Sequence, residues 1–323
     1  MISRFKNWRT LTAVTLIAVC TIVSSCSKDP VTPQEQAPAL AWKPMASGTQ
    51  LPLRSLCGLA ADEVFAFGDN GIVKRFNGSG WVQGTNTVNC DFQDSWSTAA
   101  GDIYAVGRSC MLNFDGTDWT SEDPEPGKWN YDAVWGVSKD DIFLSANRIL
   151  IPDLAGIIWQ WDGNGWLNTG SPQSGPELSP LRDIWGSSSL DVFAVGVGGI
   201  FHFDGTDWSE MVDGVNQYFT AVWGFAPNDV FAVGSKGTIL HYDGNDWVPQ
   251  ISGVTTDLNA VWGTGPSAIF AVGDAGVVLR YDGTEWTQMD SDTQNDLHDV
   301  WGSSSSNVFV VGNTGTIIRY APE

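Results

Sequence analysis

A tryptophan, usually followed by glycine, returns along this chain at a nearly constant interval, and that recurrence limits the fold more than any other feature. The landmark falls at Cys57, Trp96, Trp135, Trp185, Trp223, Trp262 and Trp301, with spacings of 39, 39, 50, 38, 39 and 39 residues. Each copy reads as a hydrophobic step into the landmark, a polar turn, a Val-Phe-Ala-Val-Gly run, a short Gly turn, an apolar run ending aromatic-Asp-Gly, and a further tryptophan. The clearest copy is Ala221–Gly224, Asp229–Gly234, Gly237–Gly244 and Trp247. A period of about 40 residues built from four short strands is the mark of a propeller blade, because one such sheet cannot bury its faces alone. Seven copies predict an all-β fold, a seven-bladed β-propeller of four-stranded antiparallel blades.

The chain ends predict how the ring closes. The seventh copy stops at Tyr320 without the Asp-Gly-x-x-Trp that opens an outer strand, and a surplus outer strand, Ala41-Trp42-Lys43-Pro44-Met45, precedes copy one. An N-terminal strand that completes the last blade removes two open sheet edges. The propeller is therefore expected to span 42–323.

Ahead of it lies an address. Met1–Arg9 carries Arg4, Lys6 and Arg9, and Thr10–Val23 is apolar and uncharged. These are the n- and h-regions of a secretory signal, too short for a good spanning helix. The stretch ends in Val23-Ser24-Ser25-Cys26, which resembles the lipobox of bacterial lipoproteins. That resemblance implies removal of residues 1–25, acylation of Cys26 (palmitate included), and attachment to the membrane through the lipid. Ser27, following the cysteine, implies sorting to the cell outer membrane, on its periplasmic or cell-surface side. Residues 26–41, with Pro30, Pro33 and Pro38, read as a stiff polar tether.

From Trp42 to Glu323 the layout resembles kelch-like propellers and the photosystem II assembly factor-like (BNR-type) group of secreted and thylakoid proteins. It departs from each pattern. A single Gly234 stands where kelch repeats carry two glycines, and no residue separates Asp from Gly as in the sialidase-type Asp-box. There is no Trp-Asp signature of the WD-repeat kind, recurring from copy to copy. The resemblance implies a propeller with a binding role; fold alone does not name the ligand.

With 16 Lys+Arg against 37 Asp+Glu, the net charge of −21 argues against nucleic acid as a partner. No Gly-x-Ser-x-Gly, His-Glu-x-x-His or P-loop is present. His202 and His241 share a position that holds Arg75, Asn113, Gln160, Arg280 and Arg319 in other copies, an interchange expected of a solvated blade edge and not of metal ligands or a catalytic base. A sialidase-like enzyme would need Arg54, Arg182 and Arg280 to converge. Carboxylate pairs are too common here to identify a glycosidase by counting. The expectation is no enzyme, no metal and no cofactor. The once-per-blade aromatics, such as Trp247 and Tyr242, are expected to fill the space between sheets, and the Asp-Gly pairs to make turns.

Function is sought where the copies differ. Three residues before the landmark stand Arg54, Gln93, Asp132, Arg182, Thr220, Asn259 and His298, all polar and placed to ring one mouth of the channel. Variable polar groups on a repeated scaffold are what a binding site looks like. Extra length at Asn147–Ala155 and Gly170–Pro180, and the acidic stretch Asp290–Asp296, are predicted on the same face. The expected function is a non-enzymatic binding or scaffold module for a protein, peptide or glycan, monomeric and anchored at the outer membrane. The rivals are an envelope protein assembly factor and a carbohydrate-active enzyme. Of the five cysteines, Cys20 leaves with the leader, Cys26 carries lipid and Cys57 fills a buried landmark position. In an oxidising compartment this leaves a Cys90–Cys110 disulfide as the expectation.

Overall fold

Every Val-Phe-Ala-Val-Gly run is buried along its whole length, as in Asp229–Gly234, because it is the second strand of a sheet covered on both faces by neighbouring blades. The computed structural model describes residues 39–84, 88–148, 156–170, 180–213 and 218–322. Cys26, the leader, the tether up to Pro38 and most of both expected loops (149–155 and 171–179) lie outside them. The chain forms seven four-stranded antiparallel sheets in a ring, with strands running in sequence order from the channel outward.

The innermost strands are Leu53–Ala60, Phe92–Ser97, Trp129–Ser138, Leu181–Ser188, Phe219–Ala226, Leu258–Gly265 and Leu297–Ser304, which number blades 1 to 7. Blade 7 is completed by Leu40–Pro44, antiparallel to Ile317–Pro322. Trp42 thereby faces Tyr320, as Trp81 faces Phe76 in blade 1 and Trp247 faces Tyr242 in blade 5. Two chain ends thus reproduce a pair that other blades make across a hairpin.

Between blades the aromatic columns form the core. Phe231 of blade 5 lies 5.8 Å from Tyr281 and 6.1 Å from Trp286 of blade 6, in one cluster with Leu258, Ile269 and Leu279. The landmark dipeptide has a steric reason as well. A Cβ on Gly224 would lie 2.8 Å from the tip of the Trp185 indole, so this tryptophan seats on the glycine of the next blade. Trp96 meets Gly136, Trp135 meets Gly186, Trp262 meets Gly302, and Trp301 meets Gly58. Blade 1 has Cys57 and so presents no indole. The following blade carries Ser97 in place of glycine, its hydroxyl donating to the Gly58 carbonyl at 3.1 Å. The two exceptions in the repeat are one exception.

The Asp-Gly pairs make turns: Asp243 Oδ1 accepts the N–H groups of Asn245 and Asp246 at 2.9 and 3.0 Å, and Gly244 has φ +96°. The histidine position is an edge only partly open to solvent, and its side chains have partners. His202 Nε2 is 2.6 Å from Asp191 Oδ1 and His241 Nε2 is 2.7 Å from Asp229 Oδ1, with the rings packed on Phe193 and Phe231. Arg75 meets Glu63, and Arg319 meets Asn307, in the same way. The position alternates among residues because His202, His241, Arg75 and Arg319 each reach an acid or amide on the neighbouring strand while the flat part covers a core ring. Gln160 likewise reaches Asp141. Blade 6 has Ala268 there, and Arg280 Nε is buried with no hydrogen-bond partner among the described residues.

A disulfide joins Cys90 to Cys110, with Cα atoms 6.2 Å apart, while Cys57 is a free, buried thiol.

Candidate functional site: the two tiers of the channel

Each innermost strand is bulged at its second or fourth residue. In blade 1 the pairing passes from Leu53 with Gly68 to Ser55 with Phe67, so Arg54 is skipped. The same shift skips Gln93, Asp132, Arg182, Thr220, Asn259 and His298. A bulge frees one residue from the ladder and re-aims its side chain. All seven therefore line one mouth of the channel. Arg280 does not join Arg54 and Arg182; it lies on the third strand of blade 6, opposite Phe270 and Thr287.

Most of this ring is closed from within its own blade, by the residue fifteen positions on. Arg54 donates to both oxygens of Asp69 at 3.0 and 3.2 Å, and Asn259 Nδ2 to Asp274 Oδ1 at 2.9 Å. His298 Nε2–H donates to Asn313 Oδ1 at 2.8 Å, and Asn147 Nδ2 donates to Asp132 Oδ2. Burial lowers the His298 pKa, so the neutral ring is favoured. Thr220 Oγ1 lies 2.5 Å from the Leu258 carbonyl.

Gln93 and Arg182 are different, because their counterparts fifteen residues on are Arg108 and Val197. Neither makes a side-chain hydrogen bond among the described residues. With Arg108, Asn130, Asp132, Asn147 and Pro180 they line a cleft of about 260 Å³. Arg108 is only 3.9 Å from Asp91 and is largely exposed, and Arg182 is 3.6 Å from Asp132. Burial pushes Asp132 up to about 6, while Arg182, Asn147 and Arg108 pull it back. Asn147 Oδ1 is enclosed with no donor among the described residues. The unspent hydrogen-bonding capacity of the mouth is concentrated at blades 2 to 4.

One residue further along each strand lies a second tier, which reasoning from the sequence missed. It reads Ser55, Asp94, Ala133, Asp183, Ala221, Ala260 and Asp299. Each aspartate accepts two backbone N–H groups, one from its own blade and one from the next. Asp94 takes Ser95 (2.7 Å) and Val134 (2.8 Å), and Asp183 takes Ile184 and Val222 (both 2.8 Å). Asp299 takes Val300 (2.7 Å) and Leu56 (2.6 Å) across the junction where the ring closes. The innermost strand has no inner neighbour, so these N–H groups face the channel. Three carboxylates cover six of the seven; Val261 has alanine at both positions from which another could reach.

This tier and the landmark ring enclose a cavity of about 290 Å³, lined by the three carboxylates, Cys57, and Trp96, Trp135, Trp185, Trp223, Trp262 and Trp301. Among the described residues no lysine, arginine or histidine lines it. Burial pushes Asp94 up to about 6 and, together with the charge of Asp94, Asp299 up to about 7; Asp183 is raised for the same reasons. Among the described residues no three acids, histidines or cysteines approach closely enough to hold a metal ion. The expected acidic stretch serves the fold in part: Asp296 Oδ1 accepts the N–H of Ala275, a residue at φ +54°.

No protein-family model matches this chain, and no curated protein matches it in sequence. Solved structures do resemble it in shape. One is described as YCF48 bound to D1 peptide, with 17% identity and a TM-score of 0.69, covering 89% of this chain and 100% of that one. YCF48 from Cyanidioschyzon merolae gives 14% identity and a TM-score of 0.67, over 87% of this chain and 98% of its own. At such identity the likeness speaks for the seven-bladed fold.

Proposed function

We propose that this protein is a binding propeller that holds a protein or peptide segment across its polar mouth. In this reading it is tethered to the outer membrane by lipid on Cys26 and acts as a scaffold or assembly factor of the cell envelope. The observation that carries it is the break in the closed ring. Where Arg54, Asp132, Asn259 and His298 are bonded within their blades, Gln93, Arg108 and Arg182 border one cleft with donors to spare. A propeller of the same shape is described with a peptide bound, which supports the choice of partner class. Among the described residues the cleft has no aromatic platform of the kind that sugar rings stack upon, and this favours a peptide over a glycan.

The test is retention of envelope proteins on the immobilised protein after detergent solubilisation. Partners should be lost from Gln93→Ala/Arg108→Ala and kept by a variant on the opposite face, Leu190→Ser. Equal retention by both variants would place the interaction elsewhere. The membrane assignment is tested separately, by loss of palmitate-analogue labelling in Cys26→Ala.

A further inference from the structure

The far end of the channel breaks the repeat in a different way. Six landmark indoles surround it among the described residues, and the seventh place, at Cys57, is a notch. In blades 5 to 7 neighbouring indoles overlap, with Trp223 6.5 Å from Trp262 and Trp262 6.4 Å from Trp301. Above them stand Asp94, Asp183 and Asp299, and the bases Arg54, Arg182 and His298 belong to the mouth tier. Among the described residues three acids share this cavity without a counter-charge in its wall, and the nearest bases border the same acids only from the mouth.

We propose that this cavity binds a quaternary ammonium group. Three features of the wall select that chemistry. The carboxylates are spread around the ring, too far apart to ligate one metal ion, so a large cation with diffuse charge suits them better. Their oxygens already accept backbone N–H groups, so a cation that needs no hydrogen bonds loses nothing there. Six indoles line the wall, and the face of an indole attracts such a cation through its quadrupole, by about 0.5–2 kcal/mol per favourable contact. The missing indole at Cys57 leaves the room. The site is separate from the cleft at blades 2 to 4, so it stands or falls independently of the peptide-binding reading.

Protons compete with the cation for the same charge. The titratable groups facing the cavity are Asp94, Asp183, Asp299 and the Cys57 thiol, which burial keeps protonated, and from the mouth side the same carboxylates are faced by Arg54, Arg182, Asp132 and His298. Binding should therefore tighten from pH 5 to pH 8 as the carboxylates ionise. The experiment titrates choline into the intact protein at pH 8, following tryptophan fluorescence and calorimetric heat. Saturable binding is expected, weaker by roughly tenfold at pH 5 and for 3,3-dimethylbutanol, its neutral carbon isostere.

The decisive variant is Cys57→Trp/Ser97→Gly, which restores the repeat and fills the notch. It should keep or raise the melting temperature and lose choline binding by roughly tenfold or more. No saturable signal, equal binding of the neutral isostere, or full binding by a folded filled variant would each overturn the proposal. An Nε-trimethyl-lysine peptide run in parallel assigns the source: tighter binding than choline points to a protein side chain, and weaker binding to a free small molecule.

Discussion

The mouth tier and the aspartate tier are one residue apart in every innermost strand, and they behave as different kinds of structure. A mouth residue such as Arg54 or His298 is closed by its own blade, and where one reaches further, as Thr220 to the Leu258 carbonyl and Asn259 to the Leu297 carbonyl, it meets a single backbone group of the next blade. An aspartate such as Asp299 ties two blades together, and through Ser55 it reaches a third: the Ser55 hydroxyl is 3.2 Å from Asp299 Oδ2 and 2.8 Å from Ser95 Oγ. One tier can vary freely and serve as a site. The other is held in common by the ring. Changes in the shared tier should be large and global, and changes in the mouth small and local.

The largest effect should come with pH. In each aspartate the folded carboxyl sits above its ordinary 3.8, near 6 for Asp94 and near 7 for Asp299. The folded protein then binds more protons than the unfolded chain between about pH 4 and 7. Stability is greatest on the acid side of that window and falls as pH rises through 6 to 7. Raising one carboxyl from 3.8 to about 6 corresponds to on the order of 3 kcal/mol. Urea melts at pH 5 and pH 8 should show the loss, and Asp299→Asn should shrink it. A curve flat over this range would mean that the three carboxylates are solvated and the tier is not shared.

Two further changes test whether the repeat itself holds the ring. Trp262→Ala removes an indole seated on Gly302 and should cost about 3 kcal/mol, against 1 kcal/mol or less for Cys57→Ala at the equivalent place. Equal costs would show that the landmark lock is incidental. Breaking the Cys90–Cys110 bridge, across a sequence separation of 20, should cost about 3 kcal/mol in the chain-entropy model. That loss should appear as a lower denaturation midpoint on reduction.

The ring and its closure were legible because a period near 40, with landmark glycines and end arithmetic, has few other physical solutions. The mouth was legible for the same reason, since a fixed distance from the landmark is a fixed place on the blade. Asp94, Asp183 and Asp299 were not, because acids are frequent in this chain. A signal did exist: Gln-Asp-Ser-Trp, Arg-Asp-Ile-Trp and His-Asp-Val-Trp put an acid at a position that is alanine in three other copies. Variability at the position of His202 and His241 does not by itself mean full exposure. Variability there reflects several side chains that each reach an acid or amide. The closing of Arg54 by Asp69 was equally hidden, since it depends on the reach of a bulged residue across its own turn.

The smallest expected effect on stability belongs to Gln93. Asn259→Ala should cost about 1 kcal/mol, because Asn259 Nδ2 donates both to Asp274 and to the Leu297 carbonyl of the next blade. Gln93 holds the same bulged place in blade 2 but makes no side-chain hydrogen bond among the described residues, and its counterpart fifteen positions on is a cation, Arg108. Removing its amide leaves no buried group unpaired, so Gln93→Ala should stay within about 0.5 kcal/mol of the parent in a urea melt. Stability and binding therefore separate at this position. If Gln93→Ala unfolds as easily as Asn259→Ala, the amide is part of the scaffold, and the mouth has no open sector at blade 2. If the melt is unchanged while partner retention falls, the open sector is where the protein meets its partner.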